Sequence, residues 1–144
     1  MISGSGQQTE SLPADTPTLP EKVSKHLQDL WYESGAEMVI LLNTNREPLQ
    51  VIGETDQNKI SHLAAFVADN FMAVTELASL LGDNTSTFKS SYHEGNQYNI
   101  YSLDINGDLL LSIVFDAKRK PGPIWIFARQ AAAALASLFP ARTQ

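Results

Sequence analysis

The sequence predicts an α/β domain of the α+β kind: a five-stranded antiparallel sheet with helices on both faces, in the order α-β-β-α-β-β-β-α. Apolar residues recur at helical spacing in three segments of the 144-residue chain, and five shorter runs have the apolar or alternating character of strands. Because hairpins dominate over a regular βαβ alternation, an antiparallel sheet is favoured over a doubly wound one.

The first helix follows a polar tail. Residues 1–19 are rich in Ser, Gly, Gln, Thr and Pro, which predicts a disordered tail ahead of a single domain at residues 20–140. Thr18 with Glu21 resembles a capping box, and Gly35 supplies a left-handed stop. Between these signals, apolar residues recur on one helical face: Val23, Leu27, Leu30 and Trp31.

Two strands joined by a tight turn are predicted next. Residues 38–42 form a continuous apolar run that ends in an Asn-rich turn, and the extended pattern resumes at residues 49–52 after Pro48.

A long amphipathic helix follows, with Asp56 as its N-cap and Gly82 as its stop. Its core stripe recurs three or four residues apart: Ile60, Leu63, Ala64, Val67, Phe71, Val74, Leu77 and Leu81.

Three strands and a helix complete the chain. Residues 87–93 alternate like a half-buried or edge strand, and residues 98–105 alternate as well. Asn106-Gly107 before residues 109–115 is a strong hairpin signal, so the three strands form a meander. The last helix stops near Pro140 and carries apolar residues at helical spacing: Ile124, Phe127, Ala128, Ala131, Leu135 and Leu138.

Composition excludes several classes of function. Ten basic against sixteen acidic residues give a net charge of -6, which disfavours binding to nucleic acid. The one basic cluster, at residues 118–120 beside Pro121 and Gly122, reads as a solvated loop. No apolar run approaches the roughly 20 residues of a membrane span, and the start of the chain lacks the pattern of a secretory signal. With no cysteine present, a cytoplasmic protein without disulfides is expected.

Catalytic and cofactor motifs are not found. His26, His62 and His93 lack the spacing of a metal site, so His93 is expected to make local hydrogen bonds in a turn. Asp104 and Asp108 flank the Asn106-Gly107 turn, where turn formation is the simpler role. No serine lies in a nucleophile elbow and no phosphate-binding glycine loop follows a strand. We therefore expect a non-enzymatic protein with no metal and no cofactor.

The surfaces of the second helix and of the strand after it indicate a function more clearly than any catalytic motif does. The side of the second helix away from its core stripe is less polar than a solvated face, and the strand after it could offer an open edge to a second copy. Two alternatives stay open: a helix that is enclosed in its own domain, and a strand edge that Lys89 protects in a monomer. The candidate partner and dimer interface comprises Ala65, Phe66, Asp69, Asn70, Ala73, Thr87, Phe88, Lys89, Ser90, Ser91 and Tyr92.

Residues 20–138 resemble the Roadblock domain family, in particular its bacterial MglB-like branch. The resemblance rests on the order and separation of several strings: MVILL (38–42), TELASLLG (75–82), YHEG (92–95), YNIY (98–101), LLLSIVFD (109–116), and Gly122 leading into IFARQAA (126–132). Pro121 and Pro123 around Gly122 depart from the leucine or valine that often follows this glycine.

The resemblance implies a homodimer joined through the strand at residues 87–92, with the two long helices packed side by side as a platform for a small Ras-like GTPase. Members of the MglB-like branch favour the GTP-bound partner and stimulate hydrolysis by rearranging its switch loops. Other family members are scaffolds in motor or signalling complexes. A third hypothesis, that the protein is a small-molecule sensor or enzyme, predicts a sizeable pocket lined by converging polar groups.

Overall fold

The computed structural model describes residues 16–82 and 90–139. Within them it contains three helices and five strands in the predicted order, which confirms the fold class. Their bounds are α1 Leu19–Ser34, β1 Met38–Asn43, β2 Pro48–Ile52, α2 Gln57–Leu80, β3 Ser90–His93, β4 Tyr98–Asp104, β5 Leu109–Asp116 and α3 Pro121–Leu138.

The strands form one antiparallel sheet in the order β2-β1-β5-β4-β3. β1 and β5 are long central neighbours, paired from Met38 with Val114 to Asn43 with Leu109. β2 and β3 are the two edges. The third strand is therefore an edge strand, as its alternating pattern indicated, although residues 87–89 of the predicted strand lie outside the described residues.

The two faces of the sheet carry different helices. α1 and α3 pack against each other and on one face, where α3 contacts β4 and α1 contacts β1 and β2. The core of that face includes Leu27, Ile113 and Phe115, all fully buried. α2 alone packs on the other face, against Ile40, Leu42 and Leu110.

Local signals fix the ends of the helices with small shifts from the prediction. The Thr18 hydroxyl accepts from the backbone N–H of Glu21, the Glu21 carboxylate accepts from the N–H of Thr18, and Gly35 ends the helix with φ 69°. The helix thus begins at Leu19, one residue inside the predicted tail. α3 begins at Pro121 rather than at Ile124, because proline suits a first turn whose N–H groups need no intrahelical acceptor.

Among the described residues, only α2 is long and apolar enough for a membrane span. Its apolar stripe instead packs against the sheet, where β1 and β5 residues bury Ile60, Ala64, Val67 and Phe71. Asp69, at mid-helix, is exposed. α2 is therefore a core helix of this domain rather than a membrane span.

Candidate functional site

The outer face of α2 is more apolar than a solvated helix face. The sheet-facing side matches the predicted stripe as far as Val74, with Ile60, Val67 and Phe71 buried and Leu63 and Val74 half-buried. The prediction was wrong for Leu77 and Leu81, because the apolar cluster beneath α2 reaches no further than Val74. The opposite side presents large apolar side chains to solvent: Phe66 (69% exposed), Met72 (56%), Leu77 (48%), Leu80 (84%) and Leu81 (72%). The reading in which this helix is simply enclosed in its own domain is therefore wrong.

α2 covers only part of its face of the sheet. It packs mainly on β1 and β2, so a groove of about 270 Å³ remains between the helix and the β4–β3 half of the sheet. The groove is lined by Phe66, Val67, Asn70, His93, Ile100 and Ser102. We call it the α2 groove. Its wall residue Phe66 is too exposed to be explained by the packing of this domain alone.

A row of serines crosses the sheet at the α2 groove, and one of them, Ser102, lines the groove. Ser91, Ser102 and Ser112 are cross-strand neighbours on β3, β4 and β5. The Ser102 and Ser112 hydroxyls are 2.9 Å apart and hydrogen-bonded. The Asn70 amide donates to the Ser91 hydroxyl at 3.0 Å, and the same hydroxyl lies 3.0 Å from Nε2 of His93. Ser102 and Ser112 are buried, so these hydrogen bonds satisfy polar groups that solvent does not reach.

Phe66 and Asn70, which line the groove, belong to a longer row on α2 that has the periodicity of a coiled-coil seam. Six residues of α2 alternate at spacings of three and four: Leu63, Phe66, Asn70, Ala73, Leu77 and Leu80. A single Asn within such a seam sets the register of helix pairing. This row was not predicted, because the prediction followed the stripe that faces the sheet. Its spacing of three and four residues is nevertheless visible in the sequence.

Asn70 and Asp69, consecutive residues of α2, contact different parts of the domain. Asn70 reaches β3, whereas Asp69 forms an ion pair at 3.4 Å with Arg46 of the β1–β2 turn. The predicted interface residues on the helix therefore divide: Phe66 and Asn70 line the groove, and Asp69 lies on the flank away from it. Of the remaining two, Ala73 is exposed and Ala65 is half-buried.

The edge strand is held firmly from the other side of the sheet. The Tyr92 ring packs edge-on against Trp125 at 5.5 Å and stacks at 6.3 Å on Phe115. Its hydroxyl accepts from the buried amide of Asn99 at 3.0 Å. Burial, with a smaller effect of the nearby Glu94 charge, raises the pKa of the Tyr92 phenol. Ser90 and Ser91 are half-buried; Thr87, Phe88 and Lys89 lie outside the described residues.

A larger cavity, of about 450 Å³, lies at the start of α2. It is lined by Glu37, Met38, Gly53, Glu54, Lys59, Leu63, Tyr98 and Val114. Its most enclosed charged group is already engaged, since Glu54 accepts from the backbone N–H groups of Thr55 and Asp56 and pairs with Lys59 at 3.2 Å. Those backbone bonds, then Lys59, lower the pKa of Glu54. The cavity therefore gives little support to a small-molecule sensor.

The titratable residues singled out in the sequence do not converge. Across residues 16–82 and 90–139, no group of three or more His, Asp or Glu side chains could hold a metal ion. His93 bonds locally at the end of β3 rather than in the predicted turn, and His62 approaches the Asn58 carbonyl within its own helix at 2.8 Å. Asp104 accepts from the N–H of Gly107, consistent with a turn role.

Neither the scan against protein-family models nor the search of curated proteins gave a match. Solved structures do match. Myxococcus xanthus MglB is 25% identical, with a TM-score of 0.76 over 82% of this chain and 94% of that one. An MglB with a tetrameric arrangement is also 25% identical, with a TM-score of 0.75 over 85% and 91%. The Roadblock/LC7 domain from Streptomyces avermitilis, at 11% identity, has a TM-score of 0.65 over 74% and 93%.

Proposed function

We propose that this chain, which has a Roadblock-type, MglB-like fold, is a non-enzymatic, cytoplasmic regulatory protein. It forms a homodimer, and the dimer binds a small Ras-like GTPase. The α2 groove together with the β3 edge would receive the second copy, and the outer face of α2 would contribute to the platform for the GTPase.

The observation that carries this proposal is the half-covered sheet face. A groove with an exposed Phe66 wall, beside the edge strand β3 of the described sheet, suits the helix and edge strand of an identical chain. The MglB with a tetrameric arrangement supports self-association, since it has this fold.

The proposed action on the GTPase is a shift between its conformations. The described residues offer no metal-binding cluster with which to stabilise a phosphoryl group. Differential affinity for the GTP-bound form would favour that form, whereas equal affinity would shift nothing. Purified GTPases of the Ras-like class, loaded with GDP or with a non-hydrolysable GTP analogue, distinguish these cases. Equal binding to both forms would favour a scaffold instead of a regulator.

Phe66→Asp tests the homodimer. Burial of one Phe side chain contributes about 1.5–3 kcal/mol, and a twofold interface counts it twice. We expect the variant to fold, because Phe66 is 69% exposed, and to be monomeric in sedimentation experiments at concentrations where the parent protein is dimeric.

Tyr32→Asp is the matched control, since Tyr32 is 83% exposed on α1, on the opposite face of the sheet. It should leave the dimer intact. A monomeric parent protein, or a Phe66→Asp variant that dimerises as well as the parent, would refute the proposed interface.

A further inference from the structure

Arg46 has a strained backbone. Its φ is 73°, and it is the one non-glycine residue of the described ranges with a positive φ. The β1–β2 turn enforces this conformation: the N–H of Arg46 bonds the Asn43 carbonyl, and the N–H of Asn43 bonds the Glu47 carbonyl. A hairpin loop of this kind ordinarily places glycine at its left-handed position.

The strain is not explained by the contact that the side chain makes. The Arg46 guanidinium meets Asp69 through one Nη at 3.4 Å, and the two side chains are 58% and 57% exposed. Exposed ion pairs of this kind contribute little to stability. A strained residue whose contact does not stabilise the fold points to a role in function.

Arg46 also lies apart from the α2 groove. Neither Arg46 nor its partner Asp69 lines the groove, whereas Asn70, about 100° further round the helix, does. A second copy seated in the groove would therefore leave Arg46 accessible. Asp69 and Glu76 are the only acidic residues of α2 and are both exposed. An acidic partner would meet repulsion from them, except where Arg46 supplies a cation.

We propose that Arg46 is a specificity-determining residue of the GTPase-binding surface, and that its guanidinium binds a carboxylate of the GTPase. This inference rests on the proposed function. Asp69 acts as the positioning residue, because it orients the guanidinium before the partner arrives. Arginine suits the role, since its planar fork can bind two carboxylates at once. Docking would exclude water from this weak pair and strengthen it.

The test compares Arg46→Gly and Arg46→Ala with Lys25→Ala. Lys25→Ala removes one positive charge and an exposed ion pair with Asp29, on α1. For each full-length variant, we would measure the thermal midpoint, the dimer by sedimentation, and the affinity for the Ras-like GTPase in its GDP and GTP-analogue forms. Hydrolysis in the saturated complex gives an additional readout.

Both Arg46 variants should keep the dimer and bind the GTPase at least about tenfold more weakly in both nucleotide forms. Arg46→Gly should unfold at a higher temperature than Arg46→Ala, because glycine relieves the strain. The hydrolysis rate at saturation should stay unchanged. Lys25→Ala should bind like the parent protein.

Binding within about twofold of the parent would overturn the role of Arg46. Loss confined to the GTP-analogue form would overturn the carboxylate assignment in favour of a phosphate contact. Loss accompanied by a disrupted dimer would make Arg46 structural. If the dimeric parent binds no Ras-like GTPase at all, the proposed function itself fails.

Discussion

Gly53 shows how one residue positions the candidate site. It follows β2 with φ 96°, and a Cβ there would collide with the backbone oxygen of Glu37. The chain can therefore pass close to the start of β1 before it enters α2. The caps at Thr18 and Asp56 were predictable at this scale, because their bonds reach only two or three residues. The need for glycine at position 53 depends on Glu37, across the β1–β2 pair.

We expect Gly53→Ala to lower the free energy of unfolding by about 2 kcal/mol or more, since both the left-handed φ and the collision oppose a side chain. Urea unfolding measures the loss. Gly122→Ala is the control, because an added Cβ there meets no atom within 4 Å. An equal effect of the two substitutions would contradict the explanation.

At the scale of elements, α2 is the feature that matters most. Its core stripe was predicted correctly from Ile60 to Val74, because the helical period is visible in the residues themselves. The prediction failed at Leu77 and Leu81, which are exposed, because the period does not show where the underlying core ends. Its outward residues were predicted as one surface, but they divide between two flanks. That division depends on which strands lie beneath the helix, and helical spacing carries no information about it.

Glu54, just before α2, predicts that the stability of the fold depends on pH. The pKa of Glu54 is lowered by the backbone N–H of Asp56 and then by Lys59. The deprotonated carboxylate therefore stabilises the folded protein above the ordinary glutamate range, and this contribution disappears as pH falls through the folded-state pKa. In urea unfolding, Glu54→Gln should be less stable than the parent near pH 7, and the difference should shrink towards pH 3.

The exposed Glu33 of α1 offers a matched control, as Glu33→Gln removes the same charge from the other face of the sheet. A difference between Glu54→Gln and the parent protein that stays constant with pH would show that the carboxylate has no such role.

At the scale of the whole molecule, helices cover the two faces of the sheet to different extents. α1 and α3 close one face, whereas α2 leaves the α2 groove on the other.

We expect Ala73→Arg, on the exposed seam of α2, to leave the fold intact and to abolish dimerisation or GTPase binding, because a long charged side chain cannot fit between packed helices. Circular dichroism, light scattering and pull-down with the GTPase measure the three properties. Unchanged assembly would count against the platform.

The sequence by itself determined the order and type of the elements, the helix caps at Thr18 and Asp56 and the buried stripe of α2 as far as Val74, because periodicity and capping are local properties of neighbouring residues. Only the tertiary structure decided that α2 covers half of its sheet face, that Asn70 bonds Ser91 and that Arg46 pairs with Asp69. Each of these contacts joins segments more than 20 residues apart in the chain. Their meeting depends on how the sheet and helices pack, which no local pattern specifies.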